Sequence, residues 1–157
     1  MAIERRLVEF SDDDLDEVVA AVAAVADGEW INIEPYVDQA ELDELRARTP
    51  SALVRVFSKA GAPIPLGTIA RSGAVLSIGL EHPHAARAVP YLREHEAAPP
   101  SGWKLKQDHA RRGLVFEAPV GTDPAEVVRW ILRAGKLLGA VRIGREWTAL
   151  VCSPGRR

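Results

Sequence analysis

The segment Asp123-Pro124-Ala125-Glu126 carries three helix-start signals in a row: a capping carboxylate, a proline at the first helical position and an acid at the third. Val127, Val128, Ile131, Ala134, Gly135 and Leu138 then recur at helical spacing, and Gly139 is placed to end the helix. A helix over 124–138 with so broad an apolar stripe needs a second layer to cover it. The remaining apolar runs are short and separated by glycine and proline, which makes that layer a sheet.

Residues 66–71 and 74–80 read as a hairpin turning at Ser72-Gly73. Residues 103–108 and 114–118 read as a second, turning at Arg111-Arg112-Gly113. Trp30-Ile31-Asn32-Ile33 alternates as a strand stopped by Pro35, and residues 52–58 form another. Residues 140–144 and 147–152 give two short final strands, followed by a frayed tail at 153–157. Ser11 and Asp14 open a first helix that carries Leu15, Val18, Val19, Val22, Val25 and Ala26 on one face and stops at Gly28. Asp38 and Glu41 open a second helix with a narrow Leu42/Leu45 stripe, ended by Thr49-Pro50. Pro83 opens a third running to Glu96, with a kink expected at Pro90. Residues 97–102 connect it to the second hairpin.

The chain has 157 residues, 47% of them apolar and 27% charged, an ordinary globular composition. One domain spanning 1–157 is the expected organisation. The single Cys152 excludes an internal disulfide framework. No apolar run is long enough to span a bilayer, and the N-terminal residues lack the apolar core of a signal peptide, so a cytoplasmic protein is expected. Sixteen arginines against four lysines fit a GC-rich bacterial genome. The net charge of −2 conceals a split: residues 1–50 carry −10 and residues 51–157 carry +8. Such a split either forms an internal seam or leaves two oppositely charged surfaces.

Offset by 40 residues, Ala70-Arg71-Ser72-Gly73-Ala74-Val75 lies over Ala110-Arg111-Arg112-Gly113-Leu114-Val115, and Leu92-Arg93 over Leu132-Arg133. The segments 66–97 and 103–138 are thus candidate ββα repeats, preceded by an acidic helical part at 11–50. The fold class expected is α+β, an antiparallel sheet with helices mainly on one face. From residue 11 to 138 the order helix, three strands, helix, two strands, helix resembles the chaperones of type III secretion systems and chaperone-like bacterial domains. The strand and helix within 30–48 are additional to that order. The resemblance implies a small, non-enzymatic dimer that binds other proteins.

The residues offer three chemistries. His82, His84 and His95 could form a metal site, although a loop at a helix start also accounts for them. Lys104, Lys106, Arg111, Arg112, Arg129 and Arg133 could form a polyanion-binding surface, with Lys104 and Lys106 on one strand face opposite Trp103 and Leu105. The pI of about 6.1 argues against nucleic acid. Trp130 and Leu137 widen the apolar stripe of the last helix, either over a neighbouring element or as a self-association or client surface. Cys152, within an apolar run, reads as a small core or edge residue. No catalytic set and no cofactor motif is expected. The chain therefore reads as a non-catalytic protein-binding or chaperone-like homodimer. A polyanion-binding module is the first alternative, and a metal-dependent enzyme at His82, His84 and His95 the second.

Overall fold

The computed structural model describes residues 2–48 and 64–155. Seven strands, β1 (Ile3–Ser11), β2 (Trp30–Pro35), β3 (Leu66–Ser72), β4 (Val75–Glu81), β5 (Lys104–His109), β6 (Gly113–Pro119) and β7 (Glu146–Pro154), form one antiparallel sheet. Its spatial order is β1-β7-β2-β3-β4-β6-β5. Among the described residues the helices are α1 (Asp16–Ala23), α2 (Gln39–Arg48), α3 (Ala88–Glu94) and α4 (Pro124–Leu138). The α+β class and the antiparallel sheet follow the sequence expectation. The strand expected at 52–58 lies outside the described residues.

One sheet face carries the core. Val8, Ala149, Ile33, Gly67, Leu80 and Leu114 form one cross-strand row, and Val151, Ile31, Ile69, Ile78 and Phe116 the next. α4 lies over these rows, with α1 beside it and α3 on the other flank. Gly67 makes the close approach possible: a Cβ there would come 2.6 Å from Ile131 Cγ2. Gly135 does the same from the helix side, leaving room for the Trp147 ring at 3.3 Å from where its Cβ would be. The opposite face carries Leu7, Leu150, Asn32, Thr68, Gly79 and Val115 in one row, tied in part by the Thr68 hydroxyl donating to Asn32 Oδ1 at 3.1 Å. Cys152 is buried on that second face, beside Trp30 and Arg5 in register.

The structure corrects several sequence expectations. Ser11 does not cap the first helix; it ends β1, and α1 starts at Asp16 and stops at Ala23. The final strands are one nine-residue strand, β7, and Ser153 and Pro154 of the expected frayed tail belong to it. β7 sits inside the sheet, between β1 and β2. α3 begins at Ala88 and not at Pro83, so Pro90 falls in the first turn, where a missing N–H costs no intrahelical bond, and no kink arises. Lys106 occupies a β-bulge between Leu105 and Gln107, which breaks the alternation on which the Lys104/Lys106 face was read. Leu105 is 46% exposed at the sheet edge.

The repeat is not confirmed. The two hairpins are adjacent through β4 and β6, but the matched glycines play different parts. Gly73 is a turn residue between Ser72 and Val75, whereas Gly113 is a strand residue paired with His109. Gly113 holds φ +82° with the Leu80 carbonyl against the place a Cβ would take. The helices that follow have seven and fifteen residues.

α3 is too short to be stable by itself and depends on its ends. Its first two N–H groups, of Ala88 and Val89, donate to the two oxygens of Asp108 on β5, at 2.9 and 3.0 Å. This is a capping interaction supplied by a strand. Asp108→Ala should cost about 1–2 kcal/mol of stability, read as a lower urea midpoint. An unchanged midpoint would remove the cap from the account.

Candidate functional site

α4 presents Glu126, Arg129, Arg133 and Lys136 outward while Val127, Val128, Ile131, Ala134 and Leu138 face the sheet. Two adjoining concavities run along its outer side. One, of about 440 Å³, is lined by Ala97, Ala98, Pro100, Glu126, Trp130 and the two arginines. The other, of about 560 Å³, is lined by Asp12, Leu15, His95, Leu132, Lys136, Leu137 and the same two arginines. Arg129 and Arg133 line both concavities of this groove along α4. Each part has the volume of a small-ligand site.

The far wall is the C-terminal end of α3. Ala97 N–H donates to the Leu92 carbonyl at 2.8 Å and Glu96 N–H to the Arg93 carbonyl at 3.4 Å, which together close a Schellman turn. The residue in the left-handed position, usually glycine, is Glu96 at φ 58°. The turn aims two carbonyls at α4. That of Glu96 accepts from Arg133 Nη1 at 3.0 Å, and that of Ala97 from Trp130 Nε1 at 3.1 Å. On the near wall Lys136 pairs with Asp12 at the end of β1, whose other oxygen accepts from Trp147 Nε1 at 3.1 Å. Among the described residues Arg129 has no ion-pair partner. The groove thus has an apolar floor, Leu15, Leu132 and Leu137, under a rim of three cations of which one is unengaged.

Trp130 is 5% exposed, edge-on to Trp103 and Phe116 with ring centroids 5.3 Å from each. It is a core residue that covers the neighbouring elements and is not a free surface. Leu137 is half-buried and lines the groove. The six basic candidates do not form one surface. Lys104 pairs in register with Glu117 on the sheet face opposite α4, Lys106 lies 3.8 Å from Glu117, and Arg111 and Arg112 occupy the hairpin tip. Arg129 and Arg133 share the groove along α4. His82, His84 and His95 do not converge either: the Tyr91 ring stands between His84 and His95, with centroids 4.6 and 4.1 Å away. Among the described residues no group of three His, Cys, Asp or Glu side chains could hold a metal ion.

Comparison with protein-family models, curated proteins and solved structures gives no match for this chain.

His82 is a feature the sequence did not single out on its own. It is fully buried, its Nδ1 accepts from His84 N–H at 3.1 Å, and its Nε2 has no partner among the described residues. Burial lowers its pKa from the ordinary 6.5, His84 lowers it further, and Asp108 partly opposes both. The unfolded chain takes up this proton near pH 6.5, and the folded chain only at lower pH. Stability is therefore complete above about pH 6.5 and falls as the pH drops through the window below it. His82→Asn retains an acceptor for His84 N–H without a titrating ring. The wild-type urea midpoint should fall between pH 7.5 and 5.5 and that of the variant should fall less; parallel pH profiles would exclude His82 as the cause. Glu96→Gly should raise stability by about 1 kcal/mol by removing the left-handed strain, and a loss of stability would contradict the turn described.

Proposed function

We propose that this chain is a non-catalytic, chaperone-like protein-binding module that works as a homodimer and holds an acidic, apolar-studded segment of a partner protein in the groove along α4. The observation that carries the reading is the juxtaposition of Arg129, Arg133 and Lys136 with the Leu15, Leu132 and Leu137 floor. An acidic amphipathic segment satisfies both parts at once. Its apolar side chains cover the floor, and its carboxylates meet the guanidinium groups in paired geometry. The fixed cations also disfavour basic segments, which gives selectivity. Among the described residues the groove's lining offers paired apolar and cationic groups, which suit recognition. A polyanion lacking apolar groups would use the rim and leave the floor uncovered. That difference separates the protein-binding reading from the nucleic-acid one.

A fluorescein-labelled helical peptide with leucines at i, i+3 and i+7 and glutamates between them is the direct probe. It should bind the wild type and bind Arg129→Glu/Arg133→Glu at least about tenfold more weakly, the loss expected for two charge-assisted contacts. An oligonucleotide should bind neither. No peptide binding, or equal binding by the variant, would overturn the assignment, and tighter binding of the oligonucleotide would favour the polyanion reading.

A further inference from the structure

The two edges of the sheet are built differently. β5, at one edge, is interrupted by the bulge at Lys106 and exposes Lys104 and Lys106, features that discourage pairing with another chain. β1, at the other, runs nine residues with no bulge or proline and pairs with β7 along its whole length. Its second side has no partner among the described residues.

The bonds at the ends of β1 reveal which backbone groups are unused. Gly155 N–H donates to the Ala2 carbonyl at 2.6 Å and Asp12 N–H to the Arg145 carbonyl at 2.8 Å, both continuing the register of β1 on β7. Even-numbered residues of β1 therefore direct their N–H and C=O groups to β7. Odd-numbered Ile3, Arg5, Leu7 and Glu9 direct theirs outward. The Ser11 carbonyl is already taken by Asp14 N–H at 3.1 Å, which closes the edge at that point. The odd side chains lie on the face opposite the helices, where Leu7 is 58% and Ile3 42% exposed.

We propose that this edge pairs antiparallel with the same edge of a second copy of the chain, about a two-fold axis through Leu7. The inference rests on the homodimer reading above and adds the surface and the register. In this register Leu7 meets the second copy's Leu7, Arg5 meets its Glu9 and Glu9 meets its Arg5. All three are residues whose backbone groups point outward, so each exchanges both main-chain hydrogen bonds across the axis. The ion pairs fall on the same face as the leucine contact. Moving the axis by one residue either way sets Leu7 against Arg5 or Glu9, and moving it two towards Ile3 sets Arg5 against Arg5. Charges on an edge usually repel another strand; the order Arg5-Leu7-Glu9 makes them complementary in this one register. The result is a continuous sheet through both copies, with the two α4 grooves left open.

Sedimentation velocity of the full chain over a dilution series tests this, using Arg5→Glu, Glu9→Arg, the double variant Arg5→Glu/Glu9→Arg and an equimolar mixture of the two single variants. All the altered side chains are exposed, and circular dichroism checks that each variant is folded. The wild type should dimerise, and each single variant should weaken the dimer at least about tenfold by turning two attractive cross-strand pairs repulsive. The double variant and the mixture should restore it. A wild-type dimer indifferent to the single variants, or one that neither the double variant nor the mixture restores, would overturn the β1 surface while leaving the homodimer reading in place. A wild type that stays monomeric at every concentration would overturn both.

Discussion

The structure depends on one non-local pairing, the insertion of β7 between β1 and β2. Every residue of β1 from Ile3 to Ser11 is matched to one on β7, and six residues of β2 are matched to the other side of the same strand. Among the described residues β7 is the one strand paired with β1, and β2 pairs with β7 and β3. The same strand carries Trp147, whose ring fills the space left by Gly135 of α4 and whose Nε1 donates to Asp12 at the end of β1. A strand late in the sequence thus joins the first strand, the second strand and the last helix. Such closure places the loop-entropy cost early in folding and the compensation late.

The charge split along the sequence acquires a location. Asp12 pairs with Lys136 and Asp13 with Arg145, so the acidic turn after β1 meets the basic part of the chain directly. Part of the opposed charge therefore forms an internal seam. Arg133 and Arg129, about one and two turns before Lys136 on α4, form no ion pair with Asp12 or Asp13 among the described residues, and Arg133 engages a backbone carbonyl. The cationic rim of the groove is what remains once the seam has formed. It stands over leucines because α4 carries apolar residues at Leu132 and Leu137, beyond the stripe that the sheet covers.

How legible each part was in the sequence follows from how local its cause is. α4 was readable to the residue because its cap, its proline and its apolar period all act within the helix; the Asp123 side chain does accept from Ala125 N–H, at 3.0 Å. The β3–β4 and β5–β6 hairpins were readable because their turns are local. β1 was not. Its sequence, Ile-Glu-Arg-Arg-Leu-Val-Glu-Phe-Ser, buries only Val8 and Phe10, and an edge strand exposed on one face shows little alternation. The groove was legible in part. Arg129, Arg133 and Leu137 were marked by helical spacing, but the wall formed by Glu96 and Ala97 was hidden because a Schellman turn without glycine leaves no signature. Helical spacing alone leaves Trp130 without a partner, because those that cover it, Trp103, Phe116 and the Ala97 carbonyl, come from distant segments.

In the proposed assembly the helix-covered face of the sheet carries a binding groove and the free edge of β1 is completed by a second copy. Residue-resolved amide hydrogen exchange of β1, at low and high protein concentration, tests it most directly. The amides of Arg6 and Val8, bonded to β7, should be protected at both concentrations. Those of Arg5, Leu7 and Glu9 should exchange quickly in dilute solution and become protected as the concentration rises. Fast exchange of these three amides at every concentration would contradict the account.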